Sequence, residues 1–406
     1  MERGHLSVPS IFRVSTLRMP SRIIMGVNSI EKLSGVAKSL GKRALIVTGK
    51  DATESGRLRI IEEKLNEANV EFEVYSKVTP EPTISHAEEM ADYINNIMTS
   101  RRPDFIIGFG GGSSLDMAKV ASLASANPKP IEQYMGVEKV PRKGLPLILI
   151  PTTAGSGSEV SKSIVLVKEK EEIKEGIVSE HVVADIAIVD PKLTMTMSPR
   201  LTAMTGIDAL SHAIEAYMSL GANAFTNPLA LEAISLISVN LRKAYSNGDD
   251  LEARKAMSEA ALLAGLAFSN AGNCAGHAAA YAFAVRYNVP HGVSCGISLP
   301  YVMKFNMLAI PDKLADIAVA MGIEGGGLST RELAQLAVTE VLDLLMDLNM
   351  PTSLEDIGVP EEDIMSLAEN MLKITRLLES NPRKIGLEEA RKIFELMWHG
   401  DVEARI

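Results

Sequence analysis

The sequence predicts two halves of different class: a doubly wound α/β half over residues 1–195 and an all-helical half over residues 196–406. Three observations carry this. Short apolar runs closed by glycine or small polar residues alternate with helix-period segments as far as Asp190-Pro191, the pattern of a parallel sheet buried between helices. Beyond that point almost every segment repeats its apolar residues at helical spacing. The stretch LTMTMSP at 193–199 fits neither period and marks the boundary.

The elements follow in order. Residues 11–25 hold two runs, IFRVST and RIIMG, expected as short strands. Ser29 is placed to cap a helix over 30–40 that ends at Gly41. ALIVTG at 44–49 is a continuous apolar run, expected as a buried strand. Leu58, Ile61, Leu65 and Ala68 give a helix over 54–69, FEVYSKV a strand at 72–78, and 84–99 the next helix. DFIIGFGGGSS at 104–114 reads as a strand running into a glycine turn, with a helix over 115–126 behind it. LPLILIPTT at 145–153 is another buried strand, and further strands are expected at 163–168 and 184–190. Helical periodicity then covers 206–219, 228–245, 251–268, 329–348, 361–378 and 387–397, with no internal repeats or low-complexity segments.

Composition narrows the class. The chain has 406 residues, 46% apolar and 23% charged, with a net charge of -10. That balance describes a globular protein and argues against nucleic acid or an anionic membrane as the main partner. The longest apolar run, Ala260 to Val285, contains Asn270, Asn273 and His277, so it reads as a buried helix rather than a membrane span. The N-terminus MERGHLSVPS carries no apolar core segment or cleavage site, which points to the cytoplasm. The two cysteines, Cys274 and Cys295, lie in no CxxC pair and are expected as buried thiols, with thiolate ligation the alternative. Glutamine occurs only at 133 and 335, a mark of a thermophilic source.

Two turns point to a nucleotide. Gly110, Gly111, Gly112 and Ser113 follow a strand and open a helix. Such a turn lets backbone N–H groups approach a phosphate while the helix N-terminus adds partial positive charge. It is not GxGxxG, so the ordinary dinucleotide fingerprint is not the warrant. PTTAGSGSEV at 151–160 ends another strand and presents Thr152, Thr153, Ser156 and Ser158 beside two glycines. Ligands of open α/β sheets bind at the carboxyl ends of strands, so a nucleotide across both turns gives the first half a Rossmann-like role. The run ALIVT ends in Gly49-Lys50, with no acid until Asp51. Without a carboxylate to repel a 2′-phosphate, this favours NADP, with NAD the alternative.

The second half carries a different constellation. Asp208 and His212 are four apart in GIDALSHAIEAY, and His277 and His291 follow in NAGNCAGHAAAY and NVPHG. Positions i and i+4 share one helix face, so both reach one ion. His277 is expected on a helix and His291 on the loop after Pro290. A lone histidine in apolar surroundings reads as a satisfied core group. Three with an aspartate at helical spacing read as a site for Fe²⁺, Zn²⁺ or Mn²⁺.

With FGGGSSLDMAK at 109–119, PTTAGSGSEV at 151–160, TGIDALSHAIEAY at 205–217 and the His277/His291 pair in this order, the chain resembles the iron-containing (group III) alcohol dehydrogenases. These share a fold with glycerol dehydrogenase and dehydroquinate synthase, and the resemblance runs from residue 22 to at least Gly296. It implies Asp208, His212, His277 and His291 as metal ligands, iron as the metal with zinc the alternative, and a homodimer. Gly111, Gly112 and Ser113 would form the pyrophosphate loop and Thr152, Thr153 and Ser156 the hydroxyl loop. Asp116 and Lys174 would be further cofactor contacts. The implied activity is reversible hydride transfer between a small or primary alcohol or aldehyde and the nicotinamide. The rival readings are a zinc-dependent, glycerol dehydrogenase-like polyol oxidation and a dehydroquinate synthase-like lyase. One position departs: the family usually carries a proton-relay histidine four residues after the third ligand, and here that residue is Tyr281.

Overall fold

The computed structural model describes residues 14–402. Its strands are β1 (Arg22–Met25), β2 (Arg43–Gly49), β3 (Glu71–Val78), β4 (Phe105–Gly110), β5 (Gly136–Val137), β6 (Leu147–Pro151), β7 (Ser163–Lys168), β8 (Ile173–Val178) and β9 (Ile186–Val189). Between them run α1 (Leu33–Leu40), α2 (Lys50–Glu54), α3 (Arg59–Glu67), α4 (Ile84–Ser100) and α5 (Gly112–Ala124). The helical half comprises α6 (Pro199–Met218), α7 (Thr226–Ser246), α8 (Leu251–Ala271), α9 (Ala275–Ala284), α10 (His291–Asn306), α11 (Pro311–Ala320), α12 (Thr330–Asp347), α13 (Ile364–Lys373), α14 (Thr375–Glu379) and α15 (Leu387–His399).

Six strands form a parallel sheet in the order β1-β9-β6-β4-β2-β3. Its central strands read as unbroken apolar runs because both faces are covered. Leu45, Val47, Ile106, Leu147 and Leu149 pack with residues of α4 and α5 on one side. Ala44, Ile46, Phe105, Ile107, Ile148 and Ile150 pack with residues of α1 and α3 on the other. Alternate residues of a strand point to opposite faces, so one apolar run fills two cores. The doubly wound half and the helical half are therefore both present as expected.

Several details differ from the sequence reading. The strand expected over 11–16 falls partly outside the described residues, and 14–20 hold no strand. Ser29 caps nothing: Asn28, at a left-handed φ of 65, precedes a single 3-10 turn and α1 begins at Leu33. The helix expected over 54–69 is confined to α3, because Glu54 ends α2 and the chain turns at Gly56. The segment 361–378 also breaks, at Ile374 between α13 and α14. β7 does not join the main sheet: it pairs antiparallel with β8, and β8 parallel with β5, as a separate three-stranded sheet. The apolar run 260–285 is likewise two helices, separated at Gly272 with φ 81.

The helical half has one large core that includes α6, α7 and α8 packed side by side and α9, α10, α12 and α15 around them. A small apolar cluster stitches it to the sheet: Leu262 and Leu266 of α8 meet Val160, Ala187 and Val189. No helix among the described residues is long and apolar enough to cross a membrane.

Candidate active site

α6 starts cleanly because Pro199 occupies its first turn and the Ser198 hydroxyl accepts from Leu201 N at 3.2 Å. One face of α6 then presents Asp208, His212 and Glu215, spaced four and three apart. α9 brings His277 against this face. His291 is the first residue of α10 rather than a loop residue, so the helix start fixes its position. Gly292 makes that docking feasible, since a Cβ there would stand 2.0 Å from Met204 O of α6.

The four ligand candidates converge. Asp208 Oδ1 lies 3.9 Å from His212 Nδ1, 3.9 Å from His277 Nε2 and 3.5 Å from His291 Nε2. One donor atom from each residue lies within 4.8 Å of all the others. Asp208 Oδ1, His212 Nδ1 and His277 Nε2 are buried with no hydrogen-bond partner. Buried polar atoms are ordinarily paired, and three orphans aimed at one point fit a cation. Burial lowers the His212 pKa to about 4 against the pull of Asp208. Burial, then the Lys174 charge, hold His291 well below its ordinary value. Both rings are therefore neutral near pH 7 and keep lone pairs for a metal.

Glu215 was not singled out from the sequence, although its spacing from Asp208 puts it on the same helix face. It is buried, and its Oε1 lies 2.5 Å from His277 Nδ1. Its Oε2 accepts from Cys274 N at 2.7 Å and His277 N at 3.2 Å. The carboxylate thus holds the proton on Nδ1 and turns the Nε2 lone pair toward Asp208, the usual arrangement behind a metal-binding imidazole. Phe268 stacks on His212 with ring centroids 4.2 Å apart. Both cysteines are free and buried. Cys295 Sγ lies 3.6 Å from His291 Nδ1, burial pushes its thiol up to about 11, and it is not one of the four converging donors.

Asp208, His212, Phe268 and His291 line a cleft of about 1230 Å³ walled by residues of both halves. Of the sequence candidates, Gly49, Lys50, Gly110, Gly111, Gly112, Ser113, Asp116, Thr152, Thr153, Ser156, Ser158, Lys174, Asp208, His212, Tyr281 and His291 line it. His277 lies fully buried behind them. Gly111 is the N-cap of α5, so that helix directs its free N–H groups into the cleft. Thr152 N donates to Gly110 O at 2.9 Å, tying the two turns together.

Several candidates have occupied side chains. Asp116 accepts from Ser158 Oγ at 2.5 Å and Val165 N at 2.9 Å, so it anchors the hydroxyl loop and β7. Lys174 pairs with Glu81 and stands 5.9 Å above the Tyr281 ring. Lys50 pairs with Glu54 at 3.0 Å and is largely exposed. The glycines of the hydroxyl loop also have a second reason: a Cβ on Gly157, whose φ is 58, would lie 2.4 Å from Gly265 Cα of α8. Backbone meets backbone there, and sequence reading had assigned the loop to the ligand alone. Arg57, Asn273 and Arg376 also line the cleft and were not foreseen.

Tyr281 is 5% exposed, with its ring 6.0 Å from His277 and 5.6 Å from His291. Burial holds its phenol well above the ordinary range, so it stays protonated and can donate a hydrogen bond but offers no base.

Comparison with known proteins agrees with this layout. Residues 20–191 match the family model "Iron-containing alcohol dehydrogenase" and residues 202–398 the model "Fe-containing alcohol dehydrogenase family, C-terminal". The chain is 37% identical over 377 residues to the sulfoacetaldehyde reductase of Bilophila wadsworthia, covering 92% of this chain and 96% of that one. It is 36% identical over 393 residues to long-chain-alcohol dehydrogenase 1 of Geobacillus thermodenitrificans, covering 96% and 98%. A crystal structure of 1,3-propanediol oxidoreductase superposes with a TM-score of 0.91 at 37% identity, over 95% of this chain and all of that one. Matched through both halves and nearly end to end, the chain belongs to the iron-containing alcohol dehydrogenase family.

Proposed function

We propose that this protein reversibly transfers hydride between a small or primary alcohol or its aldehyde and NADP, using iron held by Asp208, His212, His277 and His291. The carrying observation is the three orphaned buried donor atoms, Asp208 Oδ1, His212 Nδ1 and His277 Nε2. Asp208 and His212 line a cleft, with His277 buried behind them, and the N-terminus of α5 lines the same cleft. A divalent ion there would supply Lewis acidity toward the substrate oxygen, and a bound nicotinamide would take or give the hydride.

The residues divide the remaining work. Gly111, Gly112 and Ser113 face the pyrophosphate with backbone donors, and Thr152, Thr153 and Ser156 add hydroxyls. Asp116 and Ser158 hold that hydroxyl loop in place. Phe268 and Tyr281 wall the floor with apolar surface and keep water from the reacting carbon. The protonated Tyr281 phenol and the Lys174 ammonium offer hydrogen-bond donors beside it. The NADP preference is supported by Gly49, which puts no carboxylate at the end of β2. The relatives' names span sulfoacetaldehyde and long-chain alcohols, so a small aldehyde lies within the family's range. We also propose a division near 195/196, a cytoplasmic homodimer, and zinc as the metal that would replace iron.

The experiment is chelation followed by metal return, assayed with an alcohol panel against NADP and NAD. Chelation should cut turnover at least about 100-fold, and Fe²⁺ should restore it. Full turnover by metal-free protein would sink the proposal. Steady accumulation of NADPH separates it from a lyase, which returns its cofactor unchanged.

A further inference from the structure

A second cavity, of about 860 Å³, borders the cleft and has no task in the hydride-transfer reading. The start of α6, the connection from α9 into α10 and the segment after α12 wall it. Val289, Val293, Leu348, Met350 and Pro351 give it apolar surface. Ser198, Met204 and Pro290 line both this cavity and the cleft, so these three residues are the partition between the two spaces.

That partition stands against the metal ligands. Met204 is four residues before Asp208 on α6, one turn away on the same face. Pro290 immediately precedes His291. The two sides meet closely, since a Cβ on Gly292 would lie 2.0 Å from Met204 O. Met204 is half-buried, and its unbranched side chain can swing aside where a β-branched one could not. From Asp208 back to Arg200, which lines the second cavity, α6 runs about 12 Å. The lining decides the ligand class. The Tyr245 hydroxyl accepts from Asn349 Nδ2 at 3.0 Å, and the Tyr287 hydroxyl donates to Asp363. Among the described residues, no buried side-chain polar atom that lacks a partner belongs to this lining, whereas Asp208 and His212 of the cleft each have one. Arg200, the one charged residue of the described lining, is exposed. A polar group would find no unmatched partner there, and an alkyl chain would gain by leaving water.

We infer that the preferred substrate is a primary alcohol, or its aldehyde, with an unbranched alkyl tail that passes Met204 into the second cavity while its oxygen meets the metal ligands. This rests on the dehydrogenase reading above and names its substrate. Met204 then sets specificity, because its side chain decides whether the tail passes. The tail takes no part in the chemistry. In oxidation the hydride leaves the carbinol carbon for the nicotinamide of NADP⁺, the hydroxyl proton passes to solvent, and the aldehyde and NADPH remain.

The test measures kcat/KM for unbranched primary alcohols from 1-propanol to 1-octanol, on the metal-loaded enzyme with saturating NADP⁺. Beyond 1-butanol each added methylene should raise it about 2- to 4-fold. Arg200→Cys places a thiol in the lining of the second cavity, and both native cysteines are buried, so a bulky maleimide reaches that site alone. Labelling should abolish the rise with chain length and leave 1-propanol unchanged. Met204→Trp, which thickens the partition, should lower the octanol-to-propanol ratio at least about 10-fold. If the tryptophan variant does not fold, labelled against unlabelled Arg200→Cys decides alone. A flat series, or a rise that survives labelling, overturns the inference and leaves the dehydrogenase reading intact. So does a change of oligomeric mass on labelling, which would give this face to a second copy of the chain. Oxidation of no alcohol by metal-loaded protein overturns both.

Discussion

Tyr281 stands between two ligand histidines where a relay histidine was expected, and its environment limits what it does there. Burial keeps the phenol protonated, so it has no base to offer near neutral pH. Tyr281→Phe is therefore expected to keep metal content and NADPH affinity and to show the same inflections in its pH–rate profile. A missing inflection in the variant would give the phenol a titrating role. A second residue makes a statement about stability. Glu159 is buried, and burial raises its carboxyl to about 7 against the pull of Lys119. Between roughly pH 4.5 and 7 the folded state then holds a proton that the unfolded chain has released, so stability falls as pH rises, by about 3 kcal/mol across the window. Glu159→Gln should flatten that fall, which thermal melting from pH 5 to pH 8 reads out. A constant offset between the two curves would show that Glu159 titrates normally. At this scale the sequence disclosed what sits at fixed spacing on one helix. Asp208 and His212 were legible for that reason, and Glu215 was equally available one turn on. Asn273 and Arg376 were not, because they reach the cleft only through the packing of segments far apart in the chain.

At the scale of elements, some helices were legible through one-sided burial. α3, α4 and α12 have an apolar stripe and were found. α9 and nearly all of α10 are buried on every side, so no stripe distinguishes them and the run through Val285 reads as one segment. β8 follows the charged run KEKEE and is stabilised by pairing with β7, which no local pattern records. The hydroxyl loop makes the clearest element-level prediction. Gly265 faces it from α8, and a Cβ there would lie 2.8 Å from both Gly157 Cα and Val160 Cγ2. Gly265→Ala should destabilise by about 1–3 kcal/mol as helix and loop are forced apart, and it should weaken NADPH binding because Thr152, Thr153 and Ser156 move with the loop. Calorimetric melting and a nucleotide titration check the two parts. Unchanged nucleotide affinity would show that the loop does not carry the cofactor.

Over the whole molecule, the ligand set ties three helices that are distant in sequence. Asp208 and His212 lie on α6, His277 on α9 and His291 at the start of α10. A bound cation stabilises whatever holds it in the folded state and not in the unfolded one. The chelated protein should therefore melt at lower temperature as well as lose turnover, and an unchanged melting point would mean the four side chains are held by packing alone. The alternation of apolar strands and helices made the first half readable, and the unbroken helical period the second. What no local pattern gave is how the halves meet, since that depends on backbone contact between residues far apart in the chain.

That contact has a consequence for how such a chain can be recombined. Gly157 and Gly265 touch through their backbones, one from each half, with Leu262 and Leu266 seated on β9 beside them. The halves look like exchangeable modules, yet the seam accepts no side chain at its centre. A nucleotide half grafted from a relative would seat on this helical half only if it brought a glycine to position 157. Hybrids should sort by that single residue rather than by overall identity.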